Sequence, residues 1–211
     1  MENPASNDTI DAILMASGFS KRFGNVNKLL LPFRGKALAR HTLELVCGVP
    51  YFQRIFFIAA AEPVMSLAQD LPVRIIRNEH PEQGQGESIR LGVEASDAEY
   101  YVFFPCDQPL LDQDTLGKVL EARSTGCIVQ PAFQGEGGSP ALFSRTFREE
   151  LLCLQPGESG RLIKQRHPMS IITVELSRPE PLLDIDNQEI LEYINQYGAS
   201  ENPEQRITGR K

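Results

Sequence analysis

Three short stretches carry the side chains that can do chemistry. The first runs from Leu14 to Lys28, Leu-Met-Ala-Ser-Gly-Phe-Ser-Lys-Arg-Phe-Gly-Asn-Val-Asn-Lys. An apolar run from Ile10 to Met15, broken only by Asp11, stops at Ala16-Ser17-Gly18, where the side chains shrink and a ligand can approach the backbone closely. Lys21, Arg22 and Lys28 then place positive charge in a chain whose formal net charge is -7. Free backbone N–H groups at a strand-to-loop transition, with cations beside them, make a cradle for an anion, and a polyphosphate is the ligand that uses all of them. The second stretch is Pro105-Cys106-Asp107-Gln108-Pro109, a carboxylate released from an apolar run and held between prolines. Asp107 is placed either to hold a divalent ion or to cap the turn that follows. The third, Leu183-Asp184-Ile185-Asp186-Asn187, carries carboxylates on alternate residues, which point the same way along an extended chain.

Two familiar phosphate-binding patterns fail on spacing. A P-loop needs a glycine, four residues and then Gly-Lys-Ser/Thr, whereas Gly18 and Gly24 are separated by five residues and Lys28 is followed by Leu29. The dinucleotide fingerprint fails too, with one glycine in the first turn where it needs three and no acidic residue closing a strand near residue 59. A Rossmann oxidoreductase is therefore disfavoured.

What remains, Ala16-Ser17-Gly18 followed by Arg22, Gly24 and Lys28, resembles the signature loop of the MobA-like nucleotidyltransferases: Leu-Ala-Ala/Gly-Gly, three residues, Arg, Met/Phe, Gly, two or three residues, Lys. Cys106-Asp107-Gln108-Pro109 is similar to that family's Gly/Cys-Asp-x-Pro, whose aspartate coordinates magnesium. Asp184-Ile185-Asp186-Asn187 is similar to its Asp-Ile-Asp-Thr-Pro, which supplies a second metal ligand at the position of Asp186. The resemblance implies a nucleotide held by Ala16, Ser17, Gly18, Arg22 and Lys28, and Mg2+ on Asp107 and Asp186. Arg22, Lys28 and Asp107 would carry the catalysis, with Arg22 on the β- and γ-phosphates and Lys28 on the α-phosphate. Asp184 would stand behind the metal or end an edge strand. Around Pro81-Glu-Gln-Gly-Gln-Gly-Glu-Ser-Ile-Arg the chain resembles the family's Gly-x-x-x-Ser-x-x-x-Gly; Gly86 and Ser88 would then face the base or ribose, or Ser88 would simply cap a helix.

Two further elements point to one branch of the family. Gly138-Ser139-Pro140 resembles the Gly-His-Pro of molybdenum cofactor cytidylyltransferases (MocA-like), with serine for histidine, and Gly157-Glu158-Ser159-Gly160-Arg161 resembles Gly-Asp-x-Gly-Ala/Gly-Arg, with glutamate for aspartate. Ser139 and Arg161 are thereby candidates for the acceptor, although Arg161 and Lys164, one turn apart on a helix, can equally be solvated. The implied reaction transfers CMP from CTP to the phosphate of the molybdenum cofactor (molybdopterin) and releases pyrophosphate. Its implied partners are a nucleoside triphosphate, the cofactor and a molybdenum hydroxylase apoenzyme. Cytidylyl enzymes tend to Ala-Ala-Gly in the first loop and guanylyl enzymes to Ala-Gly-Gly; Ala16-Ser17-Gly18 lies between them. The alternatives are guanylyl or uridylyl transfer to another phosphorylated metabolite such as a sugar 1-phosphate, and a non-catalytic cofactor-delivery module.

These stretches need a frame that brings loop ends together. Ile10 to Met15, Arg54 to Ala60, Val73 to Arg77 and Tyr100 to Phe104 read as strands, the second and fourth as uninterrupted apolar runs buried on both faces. Helices are expected around Leu38 to Gly48, over Glu62 to Asp70, over Glu87 to Ala95 and after Asp112. Four strand–helix alternations demand a parallel sheet. The second half reads as strands over Cys127 to Pro131 and Ser139 to Phe143 flanking a loop, a helix over Arg145 to Leu154, strands over Ile171 to Leu176 and Leu182 to Asp186, and a closing helix over Gln188 to Tyr197. The expected fold is α/β: a three-layer αβα, Rossmann-like, doubly wound and mostly parallel sheet with an antiparallel element, nucleotide-diphospho-sugar transferase-like by the resemblance. One domain is expected over 10–197, with a flexible segment at 1–9 and a disordered tail at 198–211.

The 211 residues, 41% of them apolar, suffice for one core, and the acidic balance argues against nucleic acid as a partner. Cys47, Cys106, Cys127 and Cys153 stand far apart and off metal-ligand spacing from His41, His80 and His167, so they read as reduced thiols. With no long apolar span and no basic leader followed by one, no membrane partner is expected and the expected location is the cytoplasm.

Overall fold

The strand that ends in Ala16-Ser17-Gly18 lies near the middle of the sheet, between the strand that ends in Pro105 and the one that ends in Ala59. The computed structural model describes residues 8–19, 23 and 26–197; the expected flexible segment (up to residue 7) and tail (198–211) lie outside them. In chain order the elements are β1 Ile10–Ala16, β2 Pro32–Phe33, β3 Lys36–Ala37, α1 Leu38–Cys47, β4 Arg54–Ala59, α2 Glu62–Met65, β5 Arg74–Arg77, α3 Gln85–Glu94 and β6 Tyr100–Pro105. They continue with α4 Gln113–Glu121, β7 Ile128–Phe133, β8 Glu136–Gly137, β9 Ala141–Ser144, α5 Arg148–Leu152, α6 Gly160–Arg166, β10 Ile171–Glu175 and α7 Gln188–Tyr197.

The main sheet has the order β10-β7-β9-β6-β1-β4-β5, with β8 paired to β7 and a separate β2–β3 hairpin. β1 runs parallel to β4 and β6, and β5 parallel to β4; β9 is the antiparallel insertion between β6 and β7, and β10 is parallel to β7. The fold is therefore the expected mostly parallel sheet with an antiparallel element. Alternation along the strands sorts their side chains into two cores. Leu14, Phe57 and Val102 pack with Leu43 of α1, Val64 of α2 and Leu116 of α4 on one face. Ile13, Phe56 and Tyr101 pack with Ile89 of α3, Leu151 of α5 and Ile163 of α6 on the other. A third cluster, Phe33, Leu38, Ile185, Ile190, Leu191 and Ile194, fastens α7 to the hairpin and to the segment before it.

Asp11 sits near the start of β1 with no solvent exposure. Arg54 Nη2 lies 2.8 Å from Asp11 Oδ2, and Ser96 Oγ donates to the same oxygen at 2.5 Å. A buried carboxylate is tolerated there because each oxygen finds a donor, Oδ1 accepting from Arg54 Nε at 3.4 Å. The clamp lies at the opposite end of the strand from the loops that follow Ala16.

The structure departs from the sequence expectation in five places. Leu182 to Asp186 is not a strand: a 3₁₀ turn at Glu180–Leu182 leads into extended chain whose Ile185 N–H donates to Asp107 O at 2.9 Å. Leu182 and Leu183 spend their N–H groups on that turn, donating to Pro179 O at 2.9 Å and Glu180 O at 3.2 Å, and the segment crosses the sheet's carboxyl end instead of joining the ladder. The expected helix over Glu62 to Asp70 is one α turn followed by a 3₁₀ turn at Ser66–Ala68, and that over Arg145 to Leu154 begins as a 3₁₀ turn before α5. The loop after Phe133 closes through Gln134 (φ 52°) and Gly135 (φ 82°), a two-residue hairpin turn that creates β8. α3 begins at Gln85 behind Gly84 (φ 85°), so Ser88 lies inside the helix and does not cap it. Among the described residues no helix is long and apolar enough to cross a membrane.

Candidate functional site

Because β1, β4 and β6 are parallel, the loops leaving them open on the same edge of the sheet, where open α/β folds bind ligands. β1 delivers Ser17 and Gly18, and β6 delivers Cys106 and Asp107. Lys28 heads the 3₁₀ turn Lys28–Leu30, which Asn27 caps by accepting from Leu29 N at 3.0 Å and which Leu29, 4% exposed, anchors in the core. The turn aims the Lys28 ammonium at the end of β6.

There Lys28 Nζ lies 2.6 Å from Asp107 Oδ2 and 3.5 Å from Asp186 Oδ1, and it donates to Ile185 O at 3.0 Å. The Lys28 and Asp107 side chains are only 16% and 20% exposed, so the pair works in a poorly hydrated setting, while Asp186 is 49% exposed. Asp107 Oδ1 is buried and has no hydrogen-bond partner among the described residues. An unpaired buried carboxylate oxygen is expensive unless something cationic reaches it. Two carboxylates on one ammonium, one with a bare buried oxygen, fit a hard divalent cation that takes one or two carboxylates and completes its shell with phosphates and water. Among the described residues no group of three or more His, Cys, Asp and Glu is arranged to hold a metal.

Asp184 keeps surface open to solvent. Crowding by its neighbours, with the nearby Asp107 charge, nevertheless pushes its carboxyl up to about 6. Cys106 is 1% exposed, and burial raises its thiol well above the ordinary range, with the Asp107 charge adding to it. A thiol held protonated in this way is a packing group and not a nucleophile. All four cysteines are free, as expected. His41, whose Nε2 lies 2.8 Å from Phe33 O, serves the hairpin, and His167 pairs with Glu150 far from the cluster.

The Lys28–Asp107–Asp186 cluster separates two cavities. One, of about 240 Å³, lies between the glycine turn and the start of α3; Ser17, Gly18, Lys28, Gly84, Ser88 and Asp107 are on its wall, and Phe19, 54% exposed, stands at it. The other, of about 550 Å³, lies under the β7–β8 hairpin and is lined by Gln108, Phe133, Ser139, Lys164, Asp184 and Asp186.

The residues singled out by sequence fall unevenly around these cavities. Ser17, Gly18, Lys28, Ser88 and Asp107 meet at the first. Ser17 Oγ donates to Ile58 O at 3.3 Å, tying the turn to β4, and Ser88 Oγ accepts from Asn78 Nδ2 at 3.3 Å. Ala16 ends β1 next to them. At Gly86, in the first turn of α3, a Cβ would sit 2.8 Å from Glu158 O, so the missing side chain lets the 155–158 loop press against the helix. Arg22, with Lys21 and Gly24, lies outside the described residues. Ser139 is on the wall of the second cavity, whereas Arg161 is exposed on α6 and is not; Lys164, one turn later, is. Two residues of the site that sequence reasoning did not assign are Gln108 and Asn78. Gln108 stands inside the Asp-x-Pro stretch, where its neighbour drew the attention, and Asn78 carries no local signal beyond a polar turn.

A family model of the MobA-like NTP transferase domain matches residues 12–170 of the chain, a range that stops short of Asp184 and Asp186. The nicotine blue oxidoreductase of Paenarthrobacter nicotinovorans is 26% identical over 190 residues, covering 85% of this chain and 93% of that protein. A molybdenum cofactor guanylyltransferase of a Shewanella species is 27% identical over 154 residues, covering 71% of this chain and 76% of its own. Among solved structures, a nucleotidyl transfer enzyme from Methanothermobacter superposes with a TM-score of 0.79 at 23% identity, over 92% of this chain and 100% of that one. A Mycobacterium tuberculosis protein in complex with manganese superposes with a TM-score of 0.71 at 20% identity, over 90% and 99%. At those identities the two structures speak for the fold alone.

Proposed function

Since the chain belongs to the MobA-like NTP transferase family, we propose that it transfers a nucleoside monophosphate, CMP from CTP, to the phosphate of the molybdenum cofactor and releases pyrophosphate, acting in the cytoplasm. The observation that carries this reading is the Lys28–Asp107–Asp186 cluster standing between two cavities, a donor side at the glycine turn and an acceptor side under the hairpin. Group transfer needs that arrangement, because two substrates must meet across one charge-neutralising point.

In this reading the triphosphate lies on the Ala16-Ser17-Gly18 turn, whose backbone N–H groups face it. The base sits toward Ser88 and the α3 start, where Gly84 leaves the first helical N–H groups without a side-chain cap. Arg22 neutralises the β- and γ-phosphates. An oxygen of the acceptor phosphate, already ionised near neutral pH, attacks the α-phosphorus in line; the bond to the β-phosphate oxygen breaks and pyrophosphate leaves, so no general base is required. Lys28 stabilises the charge that grows on the α-phosphate oxygens in the transition state. Mg2+ held by Asp107 and Asp186 would neutralise further phosphate charge when bound. Ser139 borders the acceptor, whereas Arg161, exposed on α6, lies outside the cavity in solvent.

One observation favours a second nucleotide. The Shewanella relative is named a guanylyltransferase, which sets GTP against the CTP suggested by Gly138-Ser139-Pro140 and Gly157–Arg161. Pyrophosphate release measured with each of the four nucleoside triphosphates, magnesium and molybdenum cofactor, with mass spectrometry of the product, tests both. A cytosine dinucleotide product is expected. A guanine product would transfer the reading to GTP, and no release with any nucleotide would overturn nucleotidyl transfer.

A further inference from the structure

The acceptor cavity holds a cation that the reaction above does not use. Lys164, on α6, points into its wall and donates to Gln130 Oε1 at 2.8 Å. That amide is neutral, and among the described residues no carboxylate lies within ion-pair distance of the ammonium. Arg161 stands one turn away with the same sign, and Glu136, exposed on β8, borders the cavity without reaching Lys164. Burial, with the Arg161 charge adding, lowers the pKa of the Lys164 ammonium. A half-buried ammonium without a counter-ion is an uncompensated cost in the free protein, and an anion that enters the cavity removes it.

The position of this cation is set by the fold. Gln130, its partner on β7, lies against Gly137 of β8, where a Cβ would come 2.1 Å from Gln130 Nε2, so Lys164 marks the hairpin side. Asp186 stands with Lys28 and Asp107 at the strand ends. The same cavity is lined by Phe133, Leu182 and Leu183, and by a second unsatisfied group, Gln108. Gln108 is 2% exposed; its Nε2 donates to Leu182 O at 3.2 Å, and its Oε1 is buried with no partner. The Leu182 carbonyl can only accept, which fixes the amide's orientation and leaves Oε1 as an acceptor waiting for an N–H or O–H donor.

We propose, resting on the transfer reading above, that Lys164 is the acceptor-specificity residue of this site and selects a phosphomonoester that carries a second anionic group remote from its phosphate, joined by a body that donates a hydrogen bond to Gln108. A phosphate with a neutral, fully hydroxylated body would leave the Lys164 ammonium unpaired and so bind less tightly. Arg161, exposed outside the cavity, does not make this choice.

Equilibrium binding of molybdenum cofactor to the full-length protein in EDTA, without nucleotide, tests this independently of turnover. Lys164→Met is expected to weaken cofactor binding about tenfold or more, Lys164→Arg to restore most of it, and Arg161→Met to leave it within about twofold. Affinity for CTP with magnesium should stay unchanged in all three, which also shows that the variants fold. Cofactor binding by Lys164→Met within about twofold of wild type, or an equal loss of CTP affinity, overturns the assignment. If Lys164→Met loses cofactor while the wild type transfers no nucleotide to it, the transfer reading fails and the site stands. If the wild type does not bind the cofactor but transfers a nucleotide to another phosphomonoester, the same variants are read on that acceptor, where an unchanged KM for Lys164→Met overturns the proposal.

Discussion

Replacing Lys28 by methionine keeps the length and the apolar stem of the side chain and removes its charge, so it tests the centre of the site with little change in packing. Two consequences can be worked from the geometry. In catalysis, one preorganised donor aimed at developing charge is worth about 2.7–4 kcal/mol, a factor of about 10²–10³ in kcat. The upper end is expected here because the Lys28 and Asp107 side chains are only 16% and 20% exposed and water screens them poorly. KM for the nucleotide should change only a few-fold, since the turn at 16–18 still faces the phosphates. In the free protein, the same substitution leaves Asp107 and Asp186 facing each other without the ammonium that stands 2.6 Å and 3.5 Å from them. Discounted for the partial exposure of the pair, that costs about 1–2 kcal/mol, or roughly 2–8 °C in Tm for a chain of this size. Magnesium or manganese should restore much of the lost Tm in Lys28→Met and raise that of the wild type less, because in the wild type the ammonium already neutralises the carboxylates. Steady-state kinetics with thermal unfolding, each with metal and with EDTA, reads both effects. A kcat within tenfold of wild type, or a metal-induced Tm rise no larger in the variant than in the wild type, would refute the reasoning.

Asp107→Asn removes the charge but keeps the shape, and turnover is expected to fall by about 10³ or more with Tm within a few degrees of wild type, checked by the same pair of assays. Asp11→Ala at the other end of β1 takes the buried carboxylate from Ser96 and from Arg54, which keeps its pairing with Asp97; because Arg54 is 37% exposed the loss is expected to be about 1–2 kcal/mol in urea unfolding, with kcat unchanged. Cys106 should stay unmodified by iodoacetamide at pH 8 in the folded protein while the exposed Cys153 reacts, and mass spectrometry after addition of urea should show all four thiols modified, since burial is what holds the Cys106 thiol protonated.

Family membership does not by itself choose the chemistry, since one of the relatives is named an oxidoreductase and another a guanylyltransferase. The side chains do more to discriminate. An ammonium between two carboxylates, one oxygen of which is bare and buried, suits the handling of phosphate and a divalent cation. Oxidation of reduced nicotinamide cofactor by the purified protein with an added quinone-type dye as electron acceptor, run as a control to the pyrophosphate assay, separates the two classes directly.

What the linear chain determined on its own are features with a local cause. The apolar runs Ile10 to Met15, Arg54 to Ala60 and Tyr100 to Phe104 are strands because they are too short and too uniformly apolar to be anything but buried extended chain, and each ends where glycine, alanine or proline breaks the run. Asp112 as a helix cap and the loop positions of Ser17, Lys28 and Asp107 follow in the same way. Tertiary structure decided what depends on residues far apart. Lys28 meets Asp107 across 79 positions and Ile185 across 157, and no local period encodes those distances. The segment at 182–186 reads as a strand by alternation, yet the N–H groups of Leu182, Leu183 and Ile185 are taken by a turn and by the distant Asp107 carbonyl, which leaves it no place in the ladder. Arg161 and Lys164 look alike in sequence, and only the packing of α6 against the sheet leaves one in water and draws the other into the cavity wall. Period and composition report which face of an element is buried; which elements that face will meet is settled by the order of strands in the sheet, and here that order is what assembled the site.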